Sequence, residues 1–319
     1  MRRRLQLELA RILRPPDVTI AHWFQRPPYG GSNQFLLALR TELRCRGLRV
    51  GEHVVAPRTR ACVLNSFAFD SDAIRRMLHP GCRVVHRVDG PVALSRGRDD
   101  GTDELVARLN AELAHATIFQ SRYSLDASRV LGLDLRNPVV ISNAVDPAMF
   151  HPPATRDPFP GRPLRVIATS WSDNPRKGAE VLEWLDRNLD LDSYELTFAG
   201  RTQARLERIR VVGPLASEPL AELMRAHDVY LAASRDDPCS NALLEALACG
   251  LPAAFRRSGG HPELVGEAGI GFDDSEELPD VFARLAAELG ARRAAIHVPA
   301  LSDVADRYLA TMGIDASAP

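Results

Sequence analysis

Lysine is almost missing from this 319-residue sequence. Of its 40 basic residues only Lys177 is a lysine, and the rest are arginine. With the abundance of Ala, Leu and Gly, this is the drift expected of a GC-rich genome. The one ammonium stands out, because Lys and Arg are not interchangeable at a compact phosphate site. Cysteine is also scarce. Cys45, Cys62, Cys82, Cys239 and Cys249 form no C-x-x-C pair and are odd in number, which argues against a disulfide framework or a zinc site and for a reducing, cytoplasmic setting. No apolar run approaches the ~18 residues of a membrane span. No apolar stretch with a cleavage site follows the N-terminal arginines, so no signal peptide is expected. The net charge of −1 leaves no bulk electrostatic case for nucleic acid as a partner.

What is present is an ordinary globular balance, 45% hydrophobic and 25% charged, at a length of about two domains. Charge is uneven along the chain. Residues 1–50 hold ten Arg against Glu8, Asp17 and Glu42, a net of +7, so the remainder carries −8. Leu5, Leu9, Ile12 and Leu13 share one face of a basic N-terminal helix. Such a face can lie on an anionic membrane surface or pack on its own domain, and the second is the plainer reading.

Short apolar strands alternate with amphipathic helices. Strands are predicted at 18–22, 49–55, 61–64, 83–86, 117–120 and 139–141, with helices at 32–46 (Ser32 as cap), 71–78 and 103–114. Pro147 to Pro163 then holds six prolines, and both patterns stop. They resume with strands at 164–168, 195–199, 209–212, 229–233 and 251–255 and helices at 179–188, from Ser217 as cap with Pro219 in the first turn, and at 241–248, 278–289 and 302–312. Two α/β units of parallel sheet covered by helices are expected, facing across a cleft lined by strand C-termini. The first spans 1–150 and the second 160–300, with a C-terminal helix at about 302–319 free to return to the first.

The chemistry-bearing segment runs from Ser234 to Pro252, with Asp237 in a loop after a strand and Glu245 inside the following helix. The start of that helix, near Ser240, offers free N–H groups and a positive dipole end. Two carboxylates at this spacing can flank one ligand, Asp237 accepting from sugar hydroxyls and Glu245 from a vicinal diol. Taken alone, a capping Asp and a solvated Glu would explain the pattern as well. The segment resembles the acidic-x7-Glu motif of family 4 glycosyltransferases, the retaining enzymes of GT-B fold, and its end reads Glu245-Ala246-Leu247-Ala248-Cys249-Gly250-Leu251-Pro252. Here Asp237 stands for the usual Glu and Cys239-Ser240 for Phe-Gly. The resemblance implies donor-sugar contact for Asp237, ribose contact for Glu245, and donor contacts along Ser240, Asn241, Ala242 and Leu243.

Further segments follow in the family's order over roughly residues 18–272. Tyr29-Gly30-Gly31-Ser32-Asn33 resembles the glycine loop that nears the donor diphosphate, where Gly allows close backbone approach. Phe119-Gln120-Ser121, Val140 to Pro147, Val211 to Pro214 and Ser258 to Val265 also match. Asn174-Pro175-Arg176-Lys177-Gly178 resembles the Lys-Gly element whose lysine neutralises the phosphates. The family's preceding Gly-Arg is absent, Ser170-Trp171-Ser172 standing there, with Arg176 and Arg201 as nearby alternatives. On the acceptor side the resemblance points to Asp89 and His86, Asp89 first. Asp70-Ser71-Asp72 and Asp190-Leu191-Asp192 fit D-x-D but read as a helix cap and a loop.

The resemblance implies a GT-B enzyme that moves a sugar from a nucleotide-diphosphate donor to an acceptor hydroxyl with retention. Asp89, His86, Lys177 and Asp237 form the catalytic set. Neither a metal nor a cofactor beyond the nucleotide sugar as co-substrate is expected. The acceptor, a sugar, lipid or natural product, stays open. A sugar-nucleotide epimerase and a non-catalytic nucleotide-sugar binder are the alternatives.

Overall fold

The computed structural model describes residues 15–26 and 31–315. The basic N-terminal helix, Gly30 and the last four residues lie outside them. The strands of the first half are β1 (Val18–Ala21), β2 (Val50–Glu52), β3 (Ala61–Asn65), β4 (Arg83–Val88), β5 (Ala116–Phe119) and β6 (Pro138–Val140). Those of the second are β7 (Leu164–Ser170), β8 (Tyr194–Gly200), β9 (Arg210–Val212), β10 (Val229–Ala232), β11 (Ala253–Arg256) and β12 (Gly269–Phe272). They make two six-stranded sheets ordered β2-β1-β3-β4-β5-β6 and β12-β11-β10-β7-β8-β9, and every pairing is parallel. The central strands are largely apolar because helices cover both faces; β1, β3 and β10 are buried at every residue.

The chain reverses its direction of sheet growth twice, between β1 and β3 and between β7 and β10. At such a switch point neighbouring connections depart to opposite faces and leave a crevice at the strand C-termini. The helix Leu301–Thr311 crosses back to the first sheet. Its Leu301, Val304, Ala305, Tyr308 and Leu309 share a buried core with Phe35, Leu39 and Val63. Arg83 Nε, donating to the Thr311 carbonyl at 2.7 Å, fastens its end.

Two caps differ from the sequence reading. Gly31, at φ 66°, occupies the N-cap of the helix Ser32–Cys45, freeing the Ser32 hydroxyl to donate to Asp89 Oδ1 at 3.0 Å. Ala216 precedes the helix Ser217–Arg225, so Ser217 is its first residue and not its cap. Among the elements that add to the pattern are the helices Arg122–Val130 and His261–Val265 and strand β12. The first is mostly polar, the second is one short turn with a proline, and half of β12 is glycine, so none carries a clear apolar period.

Candidate functional site

The two switch points face each other across a cleft of about 310 Å³. Gly31, Ser32, Asp89 and Gln120 line it from the first sheet, and Ser170 to Ser172, Lys177 and Asp237 to Ala242 from the second. A second hollow of similar size, about 310 Å³, shares Asn241 with it and is walled by Phe35, Ala38, Met149, Ser217 and Glu245.

Lys177 ends a single 3-10 turn, Pro175–Lys177, which Asn174 caps by accepting from Arg176 N at 3.0 Å. Gly178 follows at φ +93°, and a Cβ there would lie 2.4 Å from the Ala233 Cβ. Only glycine lets this turn press against the end of β10. Lys177 Nζ thereby reaches Asp237 Oδ2 at 2.7 Å. Burial pushes the Asp237 carboxyl up, but the Lys177 ammonium and the adjoining His261 outweigh it and hold it below the usual carboxylate range.

The loop carrying Asp237 rests on Ser258-Gly259-Gly260. Gly260 N donates to the Asp237 carbonyl at 2.9 Å. A Cβ on Gly259 would fall 2.3 Å from that carbonyl oxygen, and one on Gly260 2.4 Å from the Pro238 carbonyl oxygen. The glycine pair acts by letting two loops meet backbone to backbone.

The helix Asn241–Ala248 is capped by Ser240, whose hydroxyl accepts from Leu243 N at 3.3 Å. Ser240, Asn241 and Ala242 line the cleft. Leu243 does not: its side chain is wholly buried in the core and the cap has taken its N–H, so it has nothing to offer a donor. Glu245 faces the second hollow and is 7% exposed. Among the described residues no side chain donates to it, and burial alone pushes its carboxyl up to about 8.

From the first domain, Asp89 is held through one oxygen. Oδ1 accepts from Arg87 Nη1 at 2.8 Å, from Ser32 Oγ at 3.0 Å and from Gln120 Nε2. Oδ2 has no protein donor among the described residues. Arg87 was not singled out in the sequence, where its signal was a charge inside an otherwise apolar strand. It is fully buried and bonds Asn65 at 2.6 Å and Asn143 at 3.1 Å. Asn143 Nδ2 in turn donates across the domain seam to Asn241 Oδ1 at 3.0 Å, so one network orients both Asp89 and the helix start.

His86 is not brought into the site. It points to the other face of β4 from Arg87, is completely buried, and its ring nitrogens meet the Ser66 carbonyl at 2.8 Å and Asn110 Nδ2 at 3.2 Å. Burial lowers it to about 4. It is a satisfied core histidine.

A second seam contact was not foreseen. Glu263 accepts from the backbone N–H groups of Arg122 and Tyr123, at 2.9 and 3.0 Å, and so caps a helix of the other domain. Tyr123 Oη donates to Asp236 Oδ1 at 2.8 Å, and Arg176 is ion-paired with the same carboxylate. Of the D-x-D stretches, Asp70 caps the helix Ser71–Met77 through Ala73 N at 2.9 Å, and Asp190 closes its loop on Asp192 N and Ser193 Oγ. Among the described residues no helix is long and apolar enough to cross a membrane.

Residues 177–288 match the family model described as Glycosyl transferases group 1. No curated protein sequence matches the chain. Among solved structures, sucrose-phosphate synthase from Thermosynechococcus elongatus is similar at a TM-score of 0.67 and 15% identity, over 93% of this chain and 94% of that one. HepE from Anabaena, solved with UDP-glucose, gives 0.63 and 16%, over 94% and 95%. AviGT4, a glycosyltransferase involved in avilamycin A biosynthesis, gives 0.61 and 18%, over 94% and 97%. The chain thus has the GT-B fold of these glycosyltransferase structures, and most of its second domain matches the glycosyl transferases group 1 model.

Proposed function

We propose that this protein is a retaining glycosyltransferase of the family 4 kind, which moves a sugar from a nucleotide-diphosphate donor to an acceptor hydroxyl. The observation that carries the reading is the Lys177–Asp237 pair at 2.7 Å, set beside a capped helix N-terminus in a cleft shared by both domains. The diphosphate lies against Lys177 and the first turn of Asn241–Ala248, where charge-assisted hydrogen bonds contribute about 1.5–3 kcal/mol each. The ribose diol donates to Glu245, a buried carboxyl with no protein partner among the described residues, and the nucleoside fills the adjoining hollow. Asp237 is then released from Lys177 to accept from sugar hydroxyls, and Asp89 Oδ2 receives a hydroxyl from the facing side. HepE was solved with UDP and with UDP-glucose, which supports a nucleotide-sugar donor here.

In the transfer, the bond between the anomeric carbon and the distal phosphate oxygen breaks. The acceptor oxygen bonds to that carbon on the same face, and its proton passes to the leaving phosphate. Lys177 and the helix dipole stabilise the charge that collects on the diphosphate. No protein nucleophile is needed, and the chain's own cations carry the phosphate charge.

Thermal shifts with UDP, GDP, dTDP and ADP, followed by turnover of sugars on the nucleotide that stabilises most, test the reading. Lys177→Ala should lower turnover by about 10²–10³ in a protein that stays folded. Wild-type turnover in that variant, or no stabilisation by any nucleotide, would sink it. Epimer formed without acceptor would indicate the epimerase, and nucleotide binding without turnover on any acceptor the non-catalytic binder.

A further inference from the structure

We propose that Arg201, held over the Trp171 ring beside Lys177, is the second cation for the donor diphosphate, doing from the end of β8 what a Gly-Arg element would do from the end of β7. The inference rests on the donor-binding reading above.

Three observations lead to it. The first concerns which arginines near the cleft are free. Arg176 is ion-paired with Asp236, Arg87 with Asp89, and Arg235 and Arg256 with Glu180. Arg201 has no carboxylate partner among the described residues, and its guanidinium carbon sits 4.5 Å from the Trp171 ring centroid. Second, the backbone is built to bring Arg201 there. Gly200, at φ +133°, would place a Cβ 1.9 Å from the Ser170 carbonyl oxygen, and Arg201 N donates to that oxygen at 2.8 Å. Only glycine permits this approach. Third, Arg201 and Lys177 line one small hollow with Ser170, Ser172 and Asn174, and Trp171 and Lys177 continue into the main cleft.

A guanidinium laid on an aromatic face keeps its edge N–H groups free for a phosphate and arrives partly ordered. Trp171, where the family's arginine would stand, becomes the platform for an arginine from the next strand. Arg176, adjacent to Lys177 in sequence, is excluded by geometry, because it is committed to the domain seam.

The test titrates the most stabilising of UDP, GDP, dTDP and ADP, and its parent nucleoside, into wild type, Arg201→Ala, Arg176→Ala and Lys177→Ala by calorimetry. Arg201→Ala should weaken diphosphate binding about tenfold or more and leave nucleoside binding within about twofold. Its melting temperature should hold, the side chain being exposed. Arg176→Ala should change diphosphate affinity much less. Wild-type diphosphate affinity in Arg201→Ala, while Lys177→Ala is weakened, overturns the role of Arg201 and leaves the donor site standing. An equal loss of diphosphate and nucleoside also overturns it, since that marks a structural role. If no nucleoside diphosphate binds the wild type, both readings fall.

Discussion

Replacing Glu245 by Gln removes a carboxyl that burial moves from its ordinary 4.5 to about 8. The native pKa lies above the unfolded one, so the unfolded chain sheds this proton first. The contribution to stability is therefore full below about pH 4.5 and is lost as pH rises toward 8. Each pH unit in that window costs the wild type about 1.4 kcal/mol. From pH 5.5 to 7.5 the loss is about 2.7 kcal/mol, and a Gln, which does not titrate, escapes it. Urea denaturation of both proteins at pH 5.5, 6.5 and 7.5 reads the difference, which should move in favour of Glu245→Gln by roughly 2–3 kcal/mol as pH rises. The comparison cancels the histidines, which both proteins share. A ligand diol donating to the ionised carboxylate would draw the proton off, so nucleotide binding near pH 7 should release up to one proton. Calorimetry in buffers of different ionisation enthalpy should show that release in the wild type and not in the variant. Stability curves that run parallel across pH would refute the reasoning, because they would mean that Glu245 is already ionised in the free protein.

Gly260→Ala puts a Cβ 2.4 Å from the Pro238 carbonyl oxygen and should displace the Asp237 loop. Turnover should fall at least about tenfold with the circular dichroism unchanged, and full turnover would show that the loop tolerates the shift. Glu263→Ala removes a cap that joins the domains, at a cost of about 1 kcal/mol. The donor KM should rise with kcat less affected, and Glu263→Gln should restore part of it; an unchanged KM would show that closure does not use this contact. His86→Asn should lose about 1–3 kcal/mol of stability yet keep the turnover and pH profile of the folded fraction. A hundredfold loss of turnover in folded protein would return His86 to the active site.

Most of the fold was legible because parallel strands buried on both faces are short apolar runs, and the helices between them carry a 3.6-residue stripe. The helix Arg122–Val130 was not, since seven of its nine residues are polar or small and its N-terminus is completed by Ser121 and, from the other domain, by Glu263. That Asp237, Ser240 and Asn241 would line one cleft was legible because spacing within one loop and one helix turn survives in sequence, and Lys177 stood out as the single lysine. His86 and Leu243 misled the reading. Strand alternation sends His86 and Arg87 to opposite faces, and which face meets the cleft is settled by neighbouring strands.

The sequence by itself determined the two α/β halves, the order of their elements, the loop-and-helix segment that carries the carboxylates, and the separate turn that carries the single lysine. All of these depend on residues a few positions apart. Only the tertiary structure decided which side chains are spoken for. Arg87 became the hub of a buried network, Arg176 a seam contact and Arg201 a cation over Trp171 with no carboxylate partner among the described residues. An arginine is charged in every context. What distinguishes these three is the carboxylate or ring that folding brings beside each, often from far along the chain, and no local pattern records that distance.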